Sequence, residues 1–538
     1  MINLGIKTLT GAKILIDTLK NQGVDTIFGY PGGIVLEVYD ELYKQNSIKH
    51  ILCGHEQACI HAAEGYSRTS GKCGVVLVTS GPGATNLITG FANAYLDGYP
   101  LIVLTGQVNE KLIGKDAFQE VNIIDITKSC TKKNFQVTNV NNLEETIIKA
   151  FEVANSGKKG PVLIDLAKNI FSESCDFKGL NPYYDNKNSS KIENIKNLKY
   201  LLEKSKKPLI ISGGGVKHSN SAIELMKFAE KNQIPIVSTM MSLDCFDYDN
   251  PLFFGMIGIF GSPVANQLIR ESDLIISFGA RLNDRITCCY KNGELENKII
   301  QVDINSEQFG KFFNPIIAIN ADIKDVLTNL KIDNNYTNWF NSIRYLKDTV
   351  AEIPQISDKL SSEFVVNEIW DYTKNLKIPV TTEVGQHQLW CAKGYKFNYS
   401  GQFITSGGLG TMGFGFPAAI GASIARGSSP VICFAGDGSL QMNLQELATC
   451  VNYNLPVKIM LMNNGYLGMV RQLQEKNCEG RYSETKIQNP DFIRLCASYG
   501  IEALRVETEE QIKPALERCF SSDKPFLIDF IIEPMELV

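Results

Sequence analysis

Uninterrupted apolar runs alternate along this chain with stretches of helical periodicity. Residues 74–78, 101–104, 208–211, 234–237, 274–277, 299–302, 431–435 and 458–462 are short runs rich in Val, Ile and Leu. They are continuous rather than alternating, so both faces of each predicted strand are buried. That pattern predicts parallel sheets covered by helices on both sides. Between the last two runs, Leu444, Leu447, Ala448 and Val451 recur at i, i+3, i+4 and i+7, which predicts a helix with one apolar stripe. Polar stretches at 176–194 and 333–362 divide the chain; the second is charged and lacks a sustained apolar pattern. The expected fold is α/β, three doubly wound parallel-sheet domains spanning 1–175, 190–335 and 360–538.

The last two strands carry the most informative polar residues. The first runs into Gly436-Asp437-Gly438-Ser439 and the second into Asn463-Asn464. A right-handed crossover brings both turns to one carboxyl edge of a parallel sheet, where α/β ligands sit. A carboxylate and a carboxamide there are hard oxygen donors suited to Mg²⁺, which keeps phosphate oxygens as co-ligands. Gly436 and Gly438 allow backbone to approach a diphosphate closely.

Composition narrows the classes. A length of 538 residues suits about three domains. A net charge of −5 without a basic block argues against nucleic acid or an anionic membrane as partner. Fourteen scattered cysteines without a CxxC pair, and a start without a charged leader and apolar stretch, read as reduced thiols in a cytoplasmic protein. No apolar run approaches the ~18 residues of a membrane span. Five histidines with neither HxH nor HExxH argue against a zinc hydrolase.

In the first segment Tyr30-Pro31-Gly32-Gly33 is followed by Gly54-His55-Glu56-Gln57-Ala58, a small-residue helix across 60–66, and Thr79-Ser80-Gly81-Pro82-Gly83-Ala84-Thr85-Asn86. With Asp116-Ala117-Phe118-Gln119-Glu120, Val384-Gly385-Gln386-His387-Gln388, the run 405–416 and the GDG…NN pair, the chain resembles the catalytic large subunit of the acetolactate (acetohydroxyacid) synthases. These are thiamin diphosphate (ThDP, thiamine pyrophosphate) enzymes, and the resemblance covers essentially the whole length. It implies ThDP-binding pyrimidine, middle and diphosphate domains. It implies that Glu56 hydrogen-bonds the aminopyrimidine, a task for a carboxylate sharing a proton with a ring nitrogen. It also implies that Met412 holds the cofactor bent. Asp437, Asn464 and the Tyr466 carbonyl would bind Mg²⁺, and Gly385, Gln386 and His387 would meet the diphosphate. Gly33, Phe118, Gln119 and Lys168 would surround the reacting carbonyl. Tyr30, Pro31, Gly410, Gly436, Gly438 and Ser439 complete the expected cofactor contacts.

The same resemblance implies a carboligase that decarboxylates pyruvate and joins the two-carbon unit to a second 2-oxo acid, in valine and isoleucine biosynthesis. It further implies a homodimer or homotetramer and a regulatory small subunit. In the middle segment Gly213, Gly214, Gly279, Arg281, Asp303 and Asp322 match positions that contact a structural FAD. Departures leave flavin and acceptor open. Ile259-Phe260-Gly261 stands for Met-His-Gly, Lys128 for Arg, Glu110 and Lys111 for paired Arg, and Asn283 for Asp; Lys is no substitute for a planar guanidinium. Leu473 stands for the Trp that helps select 2-ketobutyrate as acceptor. The chain stops at Val538, short of the family's usual tail, which implies a less covered site and leakage toward simple decarboxylation. A related decarboxylase or a carboligase with another acceptor is thus the alternative. Gly408 to Gly413 fits GxGxxG, but without an acidic partner in the same βαβ unit it is weak support for an oxidoreductase. Retention of Glu56, Asp437 and Asn464 argues against a non-catalytic binding protein.

Overall fold

Each apolar run becomes an interior strand of one of three six-stranded parallel sheets. The computed structural model describes residues 7–183, 192–290, 294–295, 297–348 and 359–538. In the first sheet the strands lie in the order Lys49–Leu52, Thr26–Tyr30, Gly74–Val78, Leu101–Gln107, Pro161–Ala167, Lys133–Val137. The second has the order Phe253–Met256, Ile236–Ser238, Pro208–Ser212, Leu274–Phe278, Ile299–Asp303, Ile317–Asn320. The third has Phe403–Ile404, Val380–Thr381, Val431–Gly436, Val457–Asn463, Phe526–Ile531, Glu502–Val506. Helices interleave with the strands, and an antiparallel pair, Lys7–Thr10 with Ser174–Phe177, ties the two ends of the first unit. The edge strands Lys49–Leu52, Lys133–Val137 and Glu502–Val506 escape an apolar-run reading because they are half exposed and carry charged residues.

Two close-packed helices join the first and third sheets. The expected helix across 60–66 runs from Glu56 to Ser70, capped by His55, whose Nδ1 accepts the Gln57 N–H (3.0 Å). It packs along Gly415–Ala425. A Cβ on Gly65 would collide with the Ala418 carbonyl, and one on Gly421 with the Ala62 carbonyl. Only glycine lets the two backbones approach this far.

Two expectations change. The helix read from Leu444 to Val451 is a 3₁₀ turn, Gln441–Asn443, then an α-helix, Glu446–Asn452. Its inward face is Glu446, Leu447, Thr449 and Cys450, while Val451 is exposed. Glu446 faces inward because its carboxylate accepts the Gly54 N–H (2.9 Å) and the Thr449 hydroxyl (2.7 Å). The polar stretch from 333 contains a helix, Thr337–Ile343, whose Trp339, Phe340 and Ile343 are buried in the middle core, with Trp339 Nε1 donating to Pro208 O (3.2 Å). A single short helix gives no sustained period to read. Residues 349–358 of that stretch and 184–191 of the other lie outside the described residues. Among those described, no helix is long and apolar enough to cross a membrane, and all fourteen cysteines are free.

Candidate active site

The parallel register sets Val431 beside Val457 and Gly436 beside Met462, so Asp437 and Asn464 leave adjacent strands at the same edge. Asp437 is 2% exposed. Its Oδ2 accepts the Gly465 N–H (2.8 Å) and Asn489 Nδ2 (2.7 Å), and its Oδ1 accepts the Gly438 N–H (3.1 Å). Burial still dominates and pushes its carboxyl up to about 6. Asn464 Oδ1 accepts the Tyr466 N–H (3.0 Å), while its Nδ2 donates to Gln386 Oε1 (3.3 Å). The Tyr466 loop is pinned from outside by Leu467 N donating to Thr485 O (2.7 Å) and Ile487 N to Gly465 O (3.0 Å).

Gln386 and His387 open the helix Gln386–Gly394, preceded by Gly385 at φ +143°, a conformation L side chains rarely adopt. A Cβ on Gly436 would lie 3.0 Å from His387 Nδ1, so ring and GDG turn are in contact. His387 is buried, its Nε2 has no hydrogen-bond partner, and burial pushes it down to about 3, which keeps it neutral. Ser439 turns inward, its hydroxyl donating to Glu383 Oε1 (2.5 Å). Glu383, fully buried, is pushed up to about 7. Met412 lies over the same turn, 4.0 Å from where a Gly438 Cβ would stand. Its loop, with Gly410 at φ +72°, is fastened to the first unit. Ser406 Oγ and Thr411 Oγ1 donate to Asn93 Oδ1 (2.5 and 2.9 Å), and the buried Arg68 donates to Thr405 O (2.9 Å) while pairing with Glu64 and Asp97.

On the first sheet, Glu56 stands at a helix start with Oε2 accepting Asn86 Nδ2 (2.9 Å). A Cβ on Gly83 would lie 3.5 Å from its other oxygen, so the Gly-Pro-Gly turn borders it. Gln119, at φ +60°, packs on Gly81. Phe118 beside it is 89% exposed. Tyr30 ends a neighbouring strand and Pro31 and Gly33 follow it; all three are exposed, with Ile34 seated on Gly106. Lys168 N donates to Gln107 O (3.0 Å) at the end of the adjacent strand, so it shares this carboxyl edge. Among the described residues no hydrogen bond or ion pair joins Glu56 to Asp437, Asn464 or Gln386. Glu56 thus follows a strand of the first sheet, and Asp437 and Asn464 follow strands of the third.

A cavity of about 870 Å³ runs from the middle sheet to the cofactor turn of the third. That is at the upper end of ligand pockets, about 300–1,000 Å³. Gly214, Gly279, Arg281, Asp303 and Asp322 line it, as do Asn283, Ile259, Gly385, Gly410 and Leu473; Gly213 instead packs under Gly279. The other departures, Lys128, Glu110 and Lys111, are not on its wall. Burial pushes Asp303 up to about 6. Asp322 Oδ1 accepts the Lys324 N–H (2.9 Å) and the Ser219 hydroxyl (2.8 Å). Arg281 Nη1 donates to Leu96 O (3.0 Å). The buried Asp97 Oδ1, without a hydrogen-bond partner, also faces this wall.

The residues fit the groups that such a site implies. One carboxylate, one amide oxygen and a backbone carbonyl, with no cluster of three His, Cys, Asp or Glu among the described residues, suit Mg²⁺ completed by phosphate oxygens and water, not zinc. A cation would also favour ionised Asp437 against its burial. At Gly385 and Gly436 a Cβ would crowd the His387 ring, and at Gly438 it would meet Leu467, so the glycines let these turns pack closely round His387 and Leu467. The cavity's size and close-packed glycines fit a dinucleotide, and Arg281 Nη2 stands 3.8 Å from Asp97 Oδ1 on its wall. Asn489 and Asp97 had no sequence signal, while Glu383 and Gln472 adjoin Val384 and Leu473, which were singled out, but were not themselves read as site residues.

Fold and donor set together define a thiamine pyrophosphate enzyme. Models of that class match three stretches: the N-terminal TPP binding domain at 9–126, the central domain at 195–330 and the C-terminal TPP binding domain at 383–530. The chain is 42% identical to the probable acetolactate synthase large subunit of Methanocaldococcus jannaschii, covering 98% of this chain and 93% of that one. It is 39% identical to acetolactate synthase isozyme 2 large subunit of Escherichia coli (98% and 97%) and 40% identical to the large subunit of Lactococcus lactis (99% and 94%). The chain belongs to the acetolactate synthase large-subunit family.

Proposed function

We propose that this chain is the catalytic large subunit of an acetolactate synthase, a ThDP- and Mg²⁺-dependent carboligase that decarboxylates pyruvate and joins the two-carbon unit to a second 2-oxo acid. The observation that carries this reading is the pair of half-sites: Glu56 bordered by Asn86 and Gly83, and Asp437 with Asn464 at one sheet edge. Near-full-length relatives named acetolactate synthase large subunits support it.

Bound ThDP would supply the electron sink for decarboxylation. The chain's own residues do the rest. Asp437, Asn464 and the Tyr466 carbonyl would hold Mg²⁺; Gly385, Gln386, His387, Gly436, Gly438 and Ser439 would shape the diphosphate cradle. Glu56 accepts and returns a proton at the aminopyrimidine ring, its free oxygen turned toward the Gly81–Gly83 turn. Met412 and Gly410 would help hold the cofactor over the Gly436–Gly438 turn. Tyr30, Pro31, Gly33, Phe118, Gln119 and Lys168 bound the substrate side, Lys168 supplying positive charge for a 2-oxo acid. In this reading 1–175 binds the pyrimidine, 360–538 the diphosphate and Mg²⁺, and 190–335 carries FAD on Gly213, Gly214, Gly279, Arg281, Asp303 and Asp322.

A homodimer completes the site, the Glu56 half of one chain meeting the Asp437 half of another; the solvent position of Phe118 supports this. The relatives' names, large subunit, support a small regulatory partner. Free cysteines support a cytoplasmic setting, and the pathway is branched-chain amino acid synthesis. The test is incubation with pyruvate, ThDP and Mg²⁺, with and without FAD, assaying acetolactate by its acid-driven conversion to acetoin. Acetolactate is expected; acetaldehyde alone, or no pyruvate loss in the presence of a small subunit, overturns the reading.

A further inference from the structure

The amide of Asn464 is not held by its own loop alone. Its Nδ2 donates to Gln386 Oε1 (3.3 Å). Gln386 Nε2 donates in turn to Gln472 Oε1 (2.8 Å) and to the Glu536 carbonyl (2.9 Å). Gln472 then pairs with the backbone of Val538, its Nε2 donating to the carbonyl (2.9 Å) and its Oε1 accepting the N–H (3.1 Å). Arg471, 0% exposed, donates to the same Glu536 carbonyl (2.9 Å). The segment is anchored further back. Glu533 N donates to Leu360 O (2.9 Å), and the Glu536 carboxylate accepts the Ser362 N–H (2.8 Å).

The order of these bonds fixes an orientation. A primary amide has one acceptor oxygen and a nitrogen with two N–H donors. Two carbonyl oxygens on the far side, from Gln472 and Glu536, draw the nitrogen of Gln386 away from the site. Its oxygen is then the atom left facing Asn464, and it takes that residue's nitrogen. The Asn464 oxygen is thereby turned to the side where it accepts the Tyr466 N–H. Arg471 makes the arrangement costly to lose, because a guanidinium this deep needs an acceptor. Gly468, whose Cβ would collide with Gln386 Oε1, lets the helix Gly468–Asn477 come close enough for the string to form.

We propose that Gln472 and Arg471 are positioning residues for the metal–diphosphate half-site, with the backbone of 533–538 as the strap that keeps Gln386, and through it Asn464, in the binding orientation. The inference rests on the reading of Asp437 and Asn464 as the Mg²⁺–ThDP half-site. Its consequence is a loss of cofactor affinity larger than any loss of turnover at saturating cofactor.

The test is ThDP binding to cofactor-depleted protein at saturating Mg²⁺, followed by quenching of intrinsic fluorescence. Gln472→Leu and a chain stopped after Met535 are each expected to raise the Kd about tenfold, the loss of one or two net hydrogen bonds. Their kcat at saturating ThDP should fall by a smaller factor. Arg471→Lys should stay closer to wild type than Arg471→Met. If Gln472→Leu melts early without cofactor, the shortened chain decides, because its helix is intact. An unchanged Kd in that chain, or a kcat loss as large as the Kd rise, overturns the strap. Wild-type protein that takes up no ThDP overturns the half-site reading as well, an outcome distinct from wild type and variants binding equally.

Discussion

Asn489 Nδ2 lies 2.7 Å from Asp437 Oδ2 and donates through the same amide to Asn463 Oδ1 at 2.9 Å. Asn489 itself is held by Gln441, whose Nε2 donates to its Oδ1 at 3.0 Å. One loop amide thus ties the acidic turn to the strand that delivers Asn464. Asn489→Ala removes a bond that favours ionised Asp437 and frees its rotamer. The expected outcome is Mg²⁺ affinity weakened about tenfold, as for one hydrogen bond to a charged group, with ThDP saturation still reachable at high Mg²⁺. Titration of Mg²⁺ at fixed ThDP checks it; an unaltered Mg²⁺ dependence would remove Asn489 from the site.

Glu383 under the GDG turn makes a pH prediction. Burial raises its carboxyl from 4.5 to about 7, although Ser439 and the Gly415 N–H donate to it. The folded chain therefore binds this proton more tightly than the unfolded chain. That stabilisation is full below about 4.5 and lost as pH rises through about 7. In Glu383→Gln it cannot be lost, so the melting temperature of the cofactor-free variant should fall less across this window than that of wild type. Asp165 and Asp303, also raised to about 6, are common to both proteins and drop out of the difference. Parallel melting curves would contradict the assignment.

Gly421 faces the Ala62 carbonyl with no room for a side chain. Gly421→Ala forces apart the two helices that join the first and third sheets. An overpacking cost of about 1–3 kcal/mol is expected, seen as a lower melting temperature. An unchanged melting temperature would mean that the helices have slack to separate.

Leu473 and Met469, four residues apart on one helix, both line the large cavity. In the resembling family a Trp at the Leu473 position favours 2-ketobutyrate as acceptor. Leu473→Trp should therefore raise the share of acetohydroxybutyrate over acetolactate when pyruvate and 2-ketobutyrate compete, by several-fold for an aromatic contact of about 1 kcal/mol. A product ratio that does not move would mean that the acceptor is chosen elsewhere.

Strand interiors were legible because strands buried on both faces must be apolar throughout. Edge strands such as Glu502–Val506 were not, because water on one side admits charge. Asp437 and Asn464 could be found because sheet topology carries strand ends to one edge whatever the loops do. The inward turn of Glu446 could not, since it depends on the Gly54 N–H nearly four hundred residues earlier. Asn489 and Glu536 were invisible for the same reason: loop and tail residues acquire meaning only from long-range partners. The unread helix Thr337–Ile343 shows the limit of periodicity in a seven-residue element.

The account rests most on two half-sites that meet between chains. Glu56→Gln and Asp437→Asn each leave a homodimer without an intact site, whereas a mixed dimer pairs the wild-type Glu56 of one chain with the wild-type Asp437 of the other. Co-refolded equal amounts should then recover about a quarter of wild-type acetolactate formation, since half of the dimers are mixed and each holds one intact site. No recovery, in material where mixed dimers are demonstrated by differential tags, would contradict the account.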